Sequence, residues 1–219
     1  MKQPFFAVYG VSGCGRGVMP LAREQLRLLN VPLDRLVFVD DNPVERTVNY
    51  QRVLTYSEFI GVEASEHKVV LAISDGSVRK NLAQRCLDDG LKPWSVAASN
   101  IVVMDEVHIG EGSILSPFVT LTSNIRIGQH FHANIYSYIE HDCIIGDYVT
   151  FAPSVKCNGN IIIEDYAYIG AGAVLKQGKP NGPLIIGRGA IVGMGAVVTQ
   201  NVPEGLTVVG NPAKEINKN

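Results

Sequence analysis

The sequence predicts a small parallel α/β domain of Rossmann-like order followed by an all-β parallel solenoid. Two observations carry this. In residues 1–97, apolar runs alternate with helical patterns. Farther on, stepping by six from Ile109 meets Leu115, Leu121, Ile127, Ala133, Ile139, Ile145, Phe151, Cys157, Ile163, Ile169 and Leu175, all of them apolar. A strand has side-chain period two and a helix 3.6, so neither explains an unbroken six-residue rule. A repeating coil does.

In chain order, Phe5–Tyr9 reads as a buried strand closed by Gly10. The segment Gly10-Val11-Ser12-Gly13-Cys14-Gly15 leads into a helical pattern through Val18, Ala22, Leu26 and Leu29. A second apolar run, Leu36–Val39, ends in Asp40-Asp41. A third, Val69–Ile73, ends in Ser74-Asp75-Gly76 and precedes a helix over Val78–Leu87, on which Arg79 and Lys80 read as a solvated face. Strands alternating with helices make a parallel sheet, and ligands bind at the carboxyl ends of such strands. Three such ends here carry glycines, hydroxyls and acids. The spacing G-x-x-G-x-G is not the dinucleotide fingerprint. By itself the segment is compatible with nucleotide binding or with an ordinary strand-to-helix turn.

From about Ile101 each hexad offers an apolar residue, often Gly next, and a small or branched residue four positions on, as in Ile145-Gly146/Val149 and Ile169-Gly170/Ala173. Three hexads make one triangular coil. The rule breaks over residues 176–184, a Gly/Pro/Lys-rich insertion that reads as a loop thrown out at a corner, and resumes at Ile186. That loop is either a ligand clamp or inert surface. Residues 98–219 form the second domain, and Val208–Lys214 read as a capping tail. Inside the repeat, Ile139-Glu140-His141-Asp142-Cys143-Ile144 pairs a histidine with a carboxylate at a corner phase that it shares with Pro117 and Pro153.

The 219 residues carry 19 basic and 21 acidic side chains, a balance that gives no footprint for nucleic acid or an anionic membrane. No apolar run reaches the roughly 20 residues of a membrane span, and no cleavable signal pattern opens the chain. Four scattered cysteines without metal or redox spacing point to reduced thiols and a cytoplasmic setting. His130 and His132 are out of phase with His141 modulo eighteen, so one chain does not stack three histidines on a metal; a site shared across subunits stays geometrically open, but no metal is expected.

The hexads, the N-terminal G-x-S-G-x-G with Asp40-Asp41, the His141-Asp142-Cys143-x-Ile145-Gly146-Asp147 motif and the closing Gly210-Asn211-Pro212-Ala213-Lys214 together resemble the left-handed β-helix acyltransferases that use acetyl-CoA. More narrowly, they resemble the group that N-acetylates nucleotide-linked amino sugars, with its sialic-acid O-acetyltransferase relatives. That resemblance implies a left-handed parallel β-helix and a homotrimer with interfacial sites. It implies His141 as general base, with Asp142 as its partner. It further implies nucleotide-sugar contacts at Ser12, Gly13, Cys14, Asp40, Asp41 and Ser74, and acetyl-CoA contacts at Thr150, Gly159, Ala171 and Met194. Cys14 stands where several members have His and Ser74 where they have Gly, so nucleotide or sugar preference is expected to differ; Thr150 stands where some members place a His against the cofactor, so that contact is expected to differ as well.

Histidine, with an ordinary pKa near about 6.5, suits removal of an amine proton at neutral pH. Asp142 would fix its tautomer. Gly159 lies eighteen residues on, one full coil, where its N–H would meet a developing oxyanion, an interaction worth about 3 kcal/mol. Cys143 and Cys157 sit at core phases, so direct attack by the amine on the thioester is the economical route. Asn134 and Tyr136, on the preceding hexad, either touch the sugar or decorate the surface. A sugar O-acetyltransferase and a non-catalytic nucleotide-sugar-binding trimer are the alternatives.

Overall fold

A computed structural model describes residues 2–216. Strand β1 (Phe5–Tyr9) is buried along its whole length, between β2 (Leu36–Val39) and β5 (His67–Leu71), both parallel to it. Its run is continuously apolar because both faces are covered. Helix α1 (Gly13–Leu28) packs Val18, Ala22 and Leu26 with Phe6 and Val8 on one face. On the other, Phe5, Ala7 and Tyr9 meet Tyr56 and Phe59 of α2 (Tyr56–Ile60) and Cys86 of α3 (Gly76–Asp88). The sheet has two further members on the β2 side. They are a hairpin of β3 (Thr47–Val48) and β4 (Gln51–Leu54), turned through Asn49 and Tyr50 at positive φ. No alternation marks that hairpin in the sequence.

Beyond it, strands of two or three residues recur every six residues and stack into three parallel sheets. Registers advance by one coil: Ile114–Leu115 pairs with His132–Ala133, which pairs with Thr150–Phe151. The period-six residues from Leu115 to Leu175 are all buried, whereas Ile109 at the open end is 37% exposed. Val96–Ala97 already pairs with Ile114–Leu115, so the first coil starts directly behind the α/β sheet. At the far end Thr207–Val209 folds against Lys214–Glu215 in an antiparallel pair.

Each coil turns three corners, and each corner places one residue in the left-handed region. Asn124, Asp142 and Asn160 do so at the first, His130, Tyr148 and Tyr166 at the second, and Phe118, Tyr136 and Ser154 at the third. Non-glycine residues adopt this conformation at a cost. At the second corner stacking offsets it, with ring centroids 5.2 Å apart for His130–Tyr148 and 5.6 Å for Tyr148–Tyr166.

Arg79 corrects the expectation of a solvated face. It is fully buried, while Val78 and Leu87 of the same helix are 47% and 62% exposed. The reason lies in what α3 packs against, a solenoid corner presenting backbone carbonyls. Arg79 donates through Nε to His130 O (2.9 Å), through Nη1 to Ile73 O (2.6 Å), and through Nη2 to Tyr148 O (2.7 Å) and Thr150 Oγ1 (3.1 Å). A Cβ on Gly76 would lie 2.5 Å from Tyr148 O, so the start of α3 also needs glycine to sit this close. Burial lowers the Arg79 pKa to about 10.

His130, 7% exposed with an unpartnered Nδ1, is pushed down to about 4 by burial and then by the Arg79 charge. Its folded value thus lies below the unfolded one near about 6.5, so the fold favours the neutral ring. The associated stability is complete above about pH 6.5 and is lost as pH falls toward 4, on the order of 3 kcal/mol. The melting temperature is therefore expected to drop over this window, and less steeply in His130→Asn, a residue suited to the positive φ. Parallel wild-type and variant curves would contradict this.

Candidate active site

His141 leaves the coil just after the strand Tyr138–Ile139, at the first corner. Its Nδ1 lies 2.7 Å from Asp142 Oδ2, and the imidazole is 42% exposed. Asp142 adopts φ 56°, which turns its carboxylate back onto the preceding residue. The His141 interaction chiefly, aided by Asn124 from the coil beneath, holds this carboxyl below its usual range. Asn124 Nδ2 donates to Asp142 Oδ1 at 3.3 Å. With Nδ1 committed, Nε2 is the nitrogen left to take a proton.

Gly159 stacks on this ring. A Cβ there would lie 2.5 Å from His141 Cε1 and 2.6 Å from Nε2, and the neighbouring Asn160 N–H donates to His141 O at 3.0 Å. Among the described residues Gly159 N–H has no hydrogen-bond acceptor. Gly159→Ala is therefore expected to displace the imidazole and cut kcat by at least about a hundredfold without unfolding the coil, as read by CoA release and circular dichroism. Unchanged turnover would show that the ring position is immaterial. Cys143 and Cys157 are both fully buried, as their phase indicates.

A second feature lies between the α/β sheet and the solenoid: a cleft of about 380 Å³ lined by Gly13, Cys14, Ser74, Asn134 and Thr150. These residues were expected to serve two different ligands, and they share one wall. The Thr150 hydroxyl donates to Ser74 O at 2.8 Å while accepting from Arg79, so it also closes the seam between domains. Burial raises the Cys14 thiol pKa. Ser12 is exposed at the start of α1. Asp40 accepts from Asn42 N–H and lines a separate hollow with Arg16, whereas the Asp41 carboxylate is occupied by Tyr9 and Arg85.

Ala171 and the 82% exposed Met194 precede Gly172 and Gly195 at the third corner. Asn134 lies near that same corner, before Tyr136. His141, Asp142 and Gly159 lie at the first corner, across the sheet that contains Tyr138–Ile139. Within one chain the proposed base and the cleft do not meet. Sequence reasoning missed Asn124, although its eighteen-residue offset from Asp142 was the available signal, and it misplaced Arg79. Among the described residues no group of three or more His, Cys, Asp or Glu is arranged for a metal ion, and no helix is long and apolar enough to cross a membrane.

No protein-family model matches the chain. GDP-perosamine N-acetyltransferase of Escherichia coli O157:H7 is 48% identical over 175 residues, which cover 80% of this chain and 79% of that protein. This chain belongs to that family of hexapeptide-repeat N-acetyltransferases. Among solved structures, WeeI from Acinetobacter baumannii AYE is 55% identical with a TM-score of 0.95, over 98% of this chain and 100% of that one. The acetyltransferase domain of PglB from Neisseria gonorrhoeae FA1090 is 25% identical with a TM-score of 0.86, over 98% and 100%. The α/β domain and the left-handed β-helix thus match those relatives over nearly the whole chain, and in this chain the His141-Asp142 pair lies at the first corner of the coil.

Proposed function

We propose that this acyltransferase moves an acetyl group from acetyl-CoA to the amino group of a nucleotide-linked amino sugar, with a 4-amino-dideoxy sugar as the acceptor. The observation that carries the mechanism is the His141–Asp142 pair capped by Gly159. The amine nitrogen attacks the thioester carbonyl, a C–N bond forms, and the C–S bond breaks to release the CoA thiol. His141 Nε2 accepts the amine proton while Asp142 stabilises the imidazolium, and the same proton then passes to the departing thiolate, which leaves as the thiol and regenerates the base. Gly159 N–H is the donor for the carbonyl oxygen as charge develops there. With both thiols buried, no acyl-enzyme is invoked.

The same reading makes the enzyme a homotrimer. Of the residues expected to contact the nucleotide sugar, Gly13, Cys14, Ser74 and Asn134 line the cleft together with Thr150, expected at acetyl-CoA; Ala171 and Met194, also expected at acetyl-CoA, lie at the third corner, whereas Gly159 stands with His141 at the first. A neighbouring copy would bring the two corners together. The four free thiols fit a reducing, cytoplasmic setting. The deciding experiment measures CoA release with UDP-, GDP- and dTDP-linked 4-amino sugars, with sialic acid alongside. Turnover confined to an amino sugar supports the reading, and preferred turnover of sialic acid would replace it with O-acetylation. Sedimentation as a monomer at assay concentration would defeat the trimer.

A further inference from the structure

We propose that Asn124 is a positioning residue for catalysis: from the coil beneath, its side-chain amide fixes the Asp142 carboxylate that orients His141. The inference rests on the reading of His141 as the base. Asp142 is held at both oxygens, by His141 Nδ1 at Oδ2 (2.7 Å) and by Asn124 Nδ2 at Oδ1 (3.3 Å). A carboxylate held at one oxygen swings about its last torsion, whereas one held at both presents a fixed edge to the imidazole. The backbone supports the contact. Asn124 and Asp142 both have φ 56°, and the strands after them are paired Arg126 with Ile144. Two corners of the same shape in register therefore project both side chains the same way, one coil apart. Asparagine and aspartate are also the non-glycine types best suited to that conformation.

The charged and titratable groups around this corner are few. Glu140 precedes His141 in the chain, and Glu106 occupies the equivalent corner position below Asn124. The Cys143 thiol faces His141 O at 3.6 Å. Lys179, on the loop above, lines a hollow of about 360 Å³ together with Asp142 and Asn160. None of these donates a hydrogen bond to Asp142 among the described residues.

Two substitutions separate positioning from a purely structural role. Asn124→Gly removes the amide and keeps the positive φ unstrained. It is expected to lower kcat about tenfold, within the range over which hydrogen-bonded neighbours couple, with both KM values unchanged within about twofold. Asn124→Asp keeps the shape and replaces the donor by a negative charge. An added anion beside Asp142 favours the imidazolium, so the acidic limb of the kcat/KM–pH profile should move up by about half a unit or more. In an Asp142→Ala background Asn124→Gly should have no further effect on kcat. Wild-type kcat in Asn124→Gly, an unmoved profile in Asn124→Asp, or additivity with Asp142→Ala would each overturn the proposal. Retained activity in His141→Asn would instead remove the reading beneath it, so the two failures are distinguishable.

Discussion

Replacing His141 by Asn is expected to lower kcat by about 10²–10⁴ while binding of the nucleotide sugar stays within about twofold. Asparagine keeps a polar group facing Asp142 but offers no basic nitrogen at the Nε2 position. The cleft proposed for the nucleotide sugar, lined by Gly13, Cys14 and Ser74, does not include the histidine of its own chain, so its shape should not respond. CoA release read against calorimetric binding separates the two quantities. Full turnover in the variant would mean that the amine reaches the thioester already deprotonated and needs no base from this corner.

Replacing Arg79 by Met is expected to destabilise the protein by about 3 kcal/mol, and the melting temperature should fall by about 10 °C. Two effects oppose each other. Removing a buried guanidinium recovers its desolvation cost, which depresses its pKa to about 10. Against this, the carbonyls of His130, Ile73 and Tyr148 and the Thr150 hydroxyl lose a donor inside a closed seam. Each unsatisfied buried acceptor costs about 1–3 kcal/mol, and there are several, so the loss prevails. Because the same side chain ties Thr150 and the Ser74 segment together, KM for the nucleotide sugar should rise alongside. An unchanged melting curve would show that the domains are held by apolar contacts alone.

The solenoid was legible because one rule, an apolar residue every six, reports directly on what points inward. It extends from Leu115 to Leu175 without an exception in burial. The paired residues His141 and Asp142, and Gly159 one coil above, were legible for the same reason, since a fixed coil length converts sequence offset into stacking. The seam between the domains was not. Helical periodicity marks Val78 and Leu87 as inward and Arg79 as outward, yet α3 rests on backbone carbonyls, which select a donor and have no pattern of their own. The hairpin Thr47–Leu54 also escaped, being set by a turn at Asn49-Tyr50 rather than by alternation. The separation of His141 from the cleft needs the three corners to be assigned in space, which a period alone does not do.

The insertion at residues 176–183 has a consequence for how such a chain can change. Ile161 pairs with Leu184 across it, twenty-three residues on, and the next corner moves from Tyr166 to Gly189 by the same step. The coil above nevertheless stays in register. The loop closes through a Lys179–Gly182 bridge, and its feet rest on the Gly159 and Asn160 carbonyls. A corner is thus a place where length can be added with no change of facing in any strand, while one residue added within a strand would turn its apolar side chain outward. Here the added length stands on the corner that carries Gly159 and Asn160, one coil above His141. The surroundings of the proposed base can therefore be rewritten by drift or by design without disturbing the scaffold that holds the histidine.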